Sequence, residues 1–280
     1  MTNTILITGC SSGIGYACAK GLKTNGWRVL ATVRKPDDKA RLEAEGLEVL
    51  MMDYRSSASV QACAAEVQRL TGGRLAALFN NGAYGQPGAV EDISRAVLEE
   101  QFAANFFGWH ELTCACLPLL RANVAAGGEG RIIQCSSVLG ITAMKWRGPY
   151  SASKFALEGL SDTLRLELRG SSIYVSTIEP GPIATRFVEH ALAAFNANVN
   201  QEASNHKAAY ERQSAKLAMG GSSRFKLPPE AVLEKLVYAL ESKRPKAHYY
   251  VTTPTHVMAL ARRFMPQRAL DWFVDRMSDQ

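Results

Sequence analysis

Short apolar runs alternate along the chain with longer stretches in which apolar residues recur every three or four positions. The runs Thr4 to Thr8, Arg28 to Val33, Glu48 to Met52, Ala76 to Asn80, Gly130 to Ser136, Ile173 to Glu179 and His248 to Val251 predict strands. Their near-continuous apolar character is that of strands buried on both faces. Stripes such as Leu98, Phe102, Phe106, Trp109, Thr113 and Cys116, or Leu157, Leu160, Leu164 and Leu168, predict helices with one core or subunit-contact face. Asn25-Gly26 and Gly170 are placed to stop two of them. The alternation predicts one α/β domain over 1–280, a three-layer α/β/α sandwich on a mostly parallel seven-stranded sheet.

From 186 to 227 the period loosens into an Ala/Asn/Ser-rich stretch that follows a strand terminus and ends near Gly220-Gly221 and Pro228-Pro229. Segments inserted at the carboxyl edge of a sheet commonly cover ligands, so a substrate lid is expected there. A C-terminal helical extension spans about 254–280, where Val257, Leu260, Phe264, Leu270, Trp272 and Phe273 stand beside Arg262, Arg263 and Arg268. Asp271, Asp275 and Asp279 partly balance those arginines, which favours a pocket cover or subunit contact over a membrane-surface helix.

With 280 residues and 47% hydrophobic content, the chain can bury a sizeable core. The first residues run straight into an apolar strand without a basic leader, and no run approaches the ~18 apolar residues of a membrane span. A cytoplasmic location without integral membrane association is expected. The six cysteines include no Cys-x-x-Cys, and the five histidines do not cluster with them, so neither structural disulfides nor a metal site is expected. A formal charge of +6 arises from 32 basic residues dispersed among 26 acidic ones, which argues against nucleic acid and for a local anion pocket.

Two motifs carry the chemistry. Thr8-Gly9-Cys10-Ser11-Ser12-Gly13-Ile14-Gly15 lies between the first strand and the first helix, where glycines let the backbone approach a pyrophosphate and the helix N-terminus meets its charge. Tyr150 and Lys154 stand four apart at a helix start, with Ser137 thirteen residues upstream. Positions i and i+4 share a helix face, so the Lys154 ammonium is expected beside the Tyr150 phenol, lowering its pKa toward working pH and making it a general acid. At the end of the second strand, Arg34 and Lys35 stand where an acid would read a ribose 2′-hydroxyl, and with Ser12 they suit a 2′-phosphate. NADP(H) is therefore expected over NAD(H).

Thr8 to Gly15, Asn80-Asn81-Gly82, Asn105, Ser137, Tyr150, Lys154 and Pro180-Gly181 resemble, in order and spacing, the short-chain dehydrogenase/reductase family. The likeness is strongest to its retinol and 17β-hydroxysteroid dehydrogenase-like branch and to bacterial NADP-dependent aldehyde reductases. It implies a Rossmann-type fold, with Ser11 and Ile14 in the cofactor loop, Asp53 on the adenine amino group, Tyr54 adjacent, and Asn81 and Gly82 shaping the groove. The family commonly reads Asn-Asn-Ala-Gly where this chain has Asn80-Asn81-Gly82-Ala83. The resemblance further implies that Asn105 anchors a proton-relay water, Lys154 holds the nicotinamide ribose, and Ile183 and Thr185, after Pro180-Gly181, hold the carboxamide. Ser137 would hydrogen-bond the reacting oxygen.

The function expected is reversible reduction of an apolar aldehyde or ketone, with Leu139, Met144, Trp146 and Phe187 as pocket walls. Alternatives are a steroid or retinoid alcohol dehydrogenase and, from another class, a non-catalytic NADP-sensing protein. A homodimer or homotetramer is expected from the resemblance.

Overall fold

The computed structural model describes residues 3–218 and 225–278. Residues 219–224, with the Gly220-Gly221 end of the expected lid, lie outside the described residues, as do 1–2 and 279–280 with Asp279.

Seven strands form one sheet: β1 (Thr4–Ile7), β2 (Arg28–Val33), β3 (Glu48–Met51), β4 (Ala77–Asn80), β5 (Gly130–Cys135), β6 (Ile173–Glu179) and β7 (His248–Tyr250). Their order is β3-β2-β1-β4-β5-β6-β7, and every neighbouring pair is parallel. Each predicted strand is found with its bounds matched to within one residue. Residues just past the ladders, Thr8, Met52 and Ser136, still donate their N–H to a neighbouring strand, at 3.1, 2.9 and 2.8 Å.

The helices are α1 (Gly13–Thr24), α2 (Pro36–Ala44), α3 (Ser57–Thr71), α4 (Arg95–Phe102), α5 (Gly108–Ala125), α6 (Gly148–Glu167), α7 (Phe187–Asn198), α8 (Lys207–Ala218), α9 (Glu230–Glu241), α10 (Thr253–Phe264) and α11 (Gln267–Ser278). Ser56 and Ser94 cap α3 and α4 by accepting the N–H groups of Ser59 and Val97. On the sheet, α1 packs with α9, α3 with α5 and α4 with α6, which encloses Ile5, Leu6, Ile7, Leu30, Leu78 and Ile132 completely. Burying such side chains stabilises by about 1.5–3 kcal/mol each.

The stripe from Leu98 to Cys116 is not one helix face. A π turn over Ala103–Phe107 separates α4 from α5 and takes up one extra residue, which shifts the register. Trp109, Leu112 and Cys116 are consequently core, whereas Leu98 and Phe107 are 39% and 57% exposed. In the C-terminal extension, Met258, Ala261 and Leu270 pack with Val138, Phe273 and Val274, and Val257, Leu260, Phe264 and Trp272 face outward.

The parallel order places the ends of β1, β4, β5 and β6 along one carboxyl edge. That edge assembles the glycine loop, Asn80 to Gly82, Ser137 and the turn after Glu179.

Candidate functional site

The glycine loop leaves β1 at Gly9, whose φ of +68° is left-handed. A Cβ on Gly9 would lie 2.5 Å from the Gly82 Cα, and one on Gly15 would lie 2.3 Å from the Gly9 carbonyl oxygen. The loop is thus a backbone-to-backbone cradle that side chains would fill. Gly82, at the position where the sequence departs from the family pattern, is the residue that this close approach uses.

Behind the cradle, the Thr8 hydroxyl accepts from the Asn81 and Gly82 N–H groups at 2.8 and 3.1 Å. The Asn81 side-chain amide donates to the Thr8 and Gly9 carbonyls at 2.9 and 3.4 Å, so Asn81 braces the loop from within the protein. Ser12 stands at the N-cap of α1, and its side chain makes no capping bond. The first N–H groups of α1 remain for an anion. These features fit a dinucleotide pyrophosphate. Ile14 packs on the core, and the Thr185 Cγ2 would lie 2.9 Å from a Cβ on Gly13, which brings the post-β6 turn against the loop. One residue not singled out in the sequence, Arg41 of α2, donates to the Ser11 carbonyl at 2.6 Å.

Arg34 and Lys35 are exposed immediately after β2, at the edge where a 2′-phosphate is expected. Asp53 is engaged by Arg55, Nη2 to Oδ2 at 2.7 Å. The Arg55 guanidinium chiefly, with the Arg34 charge adding, holds the Asp53 carboxyl below its ordinary range. Tyr54 is buried, its ring tilted against that of Trp109 at 5.8 Å, and it donates its hydroxyl toward Thr8 and Asn80 at 2.8 and 2.6 Å. It supports the groove from the core side, its ring lying 3.4 Å from where a Cβ on Gly82 would stand. Its partners lie far away in sequence, which is why sequence reading could not see them.

At the reacting end, Tyr150 sits in the first turn of α6, 8% exposed, with its ring edge-on to Phe187 at 5.3 Å. Lys154 is buried one turn on. Its ammonium donates to the Cys135 carbonyl at 2.8 Å and lies 4.1 Å from the Trp109 ring centroid and 5.7 Å from that of Tyr150. The expected pKa effect is reversed in this environment. Burial pushes the Tyr150 phenol well above its ordinary value, with Ser137 pulling weakly the other way, and burial brings Lys154 down to about 8. Desolvation outweighs the lysine because the ammonium is held by a carbonyl and not by the phenol oxygen.

Ser137 caps the short 3-10 turn Val138–Gly140 by accepting the Leu139 N–H at 3.1 Å. Asn105 is fully buried inside the π turn. Its Oδ1 accepts the Tyr84 N–H at 3.2 Å, and its Nδ2 donates to the Tyr84 carbonyl at 2.8 Å and the Ser153 hydroxyl at 3.4 Å. Its side chain therefore pins the segment after Gly82 to α6. Pro180 accepts from Val138 at 2.8 Å, and Gly181 packs so tightly on Thr252 that a Cβ would lie 2.1 Å from that hydroxyl.

Beyond the turn, Ile183 bridges to Leu227, and the Ala184 N–H donates to the Leu227 carbonyl at 2.8 Å. The two ends of the 186–227 excursion are thereby tied together. Its helices also meet the 84–92 loop, where Asn198 donates to Gln86 at 2.7 Å and the Tyr210 hydroxyl accepts the Ala89 N–H at 2.7 Å.

Under that excursion lies a cavity of about 110 Å³. Three predicted wall residues, Leu139, Trp146 and Phe187, line it with Tyr150. Met144 does not: it borders a separate hollow with Phe155, Leu270 and Trp272 under the C-terminal helices. The 3-10 turn after Ser137 directs the chain outward there. Arg147, Phe195 and Tyr210 also line the cavity and were not singled out from sequence.

A second, partly buried cluster adjoins Lys154. Glu158 of α6, the fully buried Glu179 of β6 and His248 of β7 bring ligand-type atoms within 4.8 Å, a grouping the scattered histidines did not suggest. Hydrogen bonds within the cluster account for it, with His248 Nδ1 2.8 Å from Glu179 Oε1. Burial and the neighbouring Glu179 raise Glu158 to about 7, against Ser136 and His248, and the Glu179 hydrogen bond raises His248. Both groups hold their protons more tightly in the folded state. The contribution of Glu158 to stability is complete below the ordinary carboxylate range and is lost as pH rises through about 7, and that of His248 is complete below its ordinary imidazole value and is lost above it. Raising the pH from 6 to 8.5 should therefore lower the unfolding midpoint of the native protein more than that of Glu158→Gln, measured by calorimetry; parallel declines would show the cluster is not responsible.

Comparison with known proteins adds the following. A model described as short chain dehydrogenase matches residues 3–195. "Uncharacterized oxidoreductase YbbO" of Escherichia coli (strain K12) is 45% identical over 271 residues, 97% of this chain and 93% of that one. "NADPH-dependent 3-dehydrocapnine reductase" of Ornithobacterium rhinotracheale is 32% identical over 270 residues, 95% and 94% of the two chains. "Retinol dehydrogenase 8" of Homo sapiens is 36% identical over 200 residues, 68% of this chain and 62% of that one.

Proposed function

The chain belongs to the short-chain dehydrogenase family, in its retinol dehydrogenase-like branch, and from that premise we propose that it is an NADP(H)-dependent oxidoreductase that reversibly reduces an apolar aldehyde or ketone to the alcohol. The observation that carries the reading is the position of Tyr150: buried beside Ser137, it opens on an apolar cavity.

NADPH held in this groove would supply the hydride that reduces the carbonyl carbon. Tyr150 gives its phenolic proton to the carbonyl oxygen, so that the alcohol leaves neutral. The raised Tyr150 pKa keeps the phenol protonated and ready to donate. Ser137 offers a second hydrogen bond to the same oxygen, worth most where water is excluded. Lys154 lies one turn below, and its lowered pKa suits passing a proton toward Tyr150 after turnover. The cradle of Gly9, Gly13 and Gly15 and the α1 N-terminus hold the pyrophosphate. Arg34, with Lys35 and Ser12, holds the 2′-phosphate. Ile183, Thr185 and the Pro180-Gly181 turn seat the nicotinamide end, and Asp53 reads the adenine from the opposite end of the groove.

The segment 186–227 acts as the lid, its ends clamped at Ala184 and Leu227. Exposed Leu98, Phe107 and Phe155 support a subunit contact through the α4 to α6 face, in a homodimer or homotetramer. The relative named for NADPH dependence supports the phosphate reading.

Replacing Arg34 with Asp exchanges a cation for an anion at that edge. The NADPH/NADH ratio of kcat/KM should fall by at least about tenfold, since charge-assisted hydrogen bonds contribute ~1.5–3 kcal/mol. An unchanged ratio would remove Arg34 from phosphate recognition.

A further inference from the structure

The cavity beside Tyr150 has apolar walls in Leu139, Phe187 and Phe195, yet Arg147 stands among them. Buried cations are ordinarily paired. Arg131, which is buried, follows that rule: it meets Glu129, donates to the Ser242 carbonyl at 2.9 Å and lies 4.3 Å over the Tyr174 ring. Arg147 does not follow it. Arg147 is half-buried, its Nη1 donates at 3.2 Å to the carbonyl of Trp146, its own neighbour, and among the described residues no carboxylate lines the cavity. Burial by itself pushes the guanidinium below its ordinary pKa, without any opposing acid.

The backbone that presents Arg147 is strained in a way that needs explanation. Trp146 has a φ of +64°, a conformation that is costly for a bulky side chain. The Gly88 N–H holds the Trp146 carbonyl at 3.1 Å, and Gly88 bridges to Arg147, which fixes the segment in place. Strain of this kind persists where the surroundings over-determine it, and here it sets a charge at the wall of an apolar cavity.

We infer that Arg147 is the anion-recognising residue of the substrate site and that the substrate is an apolar oxo acid, carrying a carboxylate, sulfonate or phosphate within a few bonds of the carbonyl to be reduced. The short spacing follows from position: Arg147 is the N-cap residue of the helix that carries Tyr150 in its first turn, and both line the one small cavity. The apolar walls take the chain, and the guanidinium fork takes the anion. This inference rests on the carbonyl reduction proposed above and narrows its substrate.

The test compares 3-oxooctanoate with its ethyl ester, with NADPH as reductant. The native protein should favour the anion in kcat/KM by about ten- to a hundredfold, the range of a charged hydrogen-bonded pair. Arg147→Met should reduce that preference at least tenfold, chiefly through KM, and Arg147→Lys should retain part of it. An equal preference in Arg147→Met, or a native protein that favours the ester, overturns the inference while leaving carbonyl reduction standing. Should neither compound be reduced, the reading of the site as a carbonyl reductase fails, and calorimetric titration of the NADP-loaded protein with octanoate and 1-octanol judges Arg147 separately. Tighter octanoate binding that is lost in Arg147→Met supports the anion site, and equal binding of the two ligands refutes it.

Discussion

Replacing Tyr150 with Phe should lower kcat for carbonyl reduction by roughly 10²–10⁴-fold, the contribution typical of a positioned general acid. The change removes one oxygen and keeps the ring, so the 5.3 Å edge contact with Phe187 and the first turn of α6 are retained. NADPH affinity should stay nearly constant, because the cradle, Arg34 and Lys154 are untouched. Steady-state kinetics with a medium-chain aldehyde, alongside fluorescence titration of NADPH, reads both quantities. Turnover comparable to the native protein would take the phenol out of the chemistry.

Gly9→Ala should be the most damaging single methyl group in the cofactor groove. A non-glycine residue at φ +68° carries a penalty of roughly 1–2 kcal/mol. The added Cβ would also lie 2.5 Å from the Gly82 Cα, backbone against backbone, and forced overpacking typically costs about 1–3 kcal/mol. Relief requires β1 and the Asn80 to Gly82 segment to part, which disrupts the Thr8 and Asn81 hydrogen bonds that hold both. The expected result is about 2–5 kcal/mol of lost stability, together with NADPH binding weakened at least about tenfold. Thermal unfolding and NADPH titration measure the two effects; native values for both would mean that the loop is not built around this close approach.

The strands are legible because a parallel sheet buries both faces, so β1, β2 and β4 read as near-continuous apolar runs. The register of the long helical stripe was not legible, because a π turn is a local change in hydrogen bonding that leaves the apolar spacing nearly intact. The reactive residues could be singled out from their order along the chain, but not their environments. The sequence puts Lys154 one turn from Tyr150; only the fold shows that its ammonium is held by Cys135 and Trp109, so that burial governs the phenol.

The partners of Tyr54 and Asn81 are illegible for a related reason: each binds Thr8, which is 46 or 73 residues away along the chain. Met144 stands two residues from Trp146 in sequence, yet the two border different hollows. Arg147 has no periodic signal at all. Its significance comes from walls that α7 and α8 supply from far along the chain.

The account turns on hydride passing from NADPH to a carbonyl held at Tyr150. Reduction of a medium-chain aldehyde with NADPH deuterated at C4, using each of the two stereochemical labels in turn, tests this in one product analysis by mass spectrometry. One label should place a single deuterium on the carbinol carbon of the alcohol, and the other should place none. NADPH that binds while no alcohol forms, or alcohol without deuterium from either label, would contradict it.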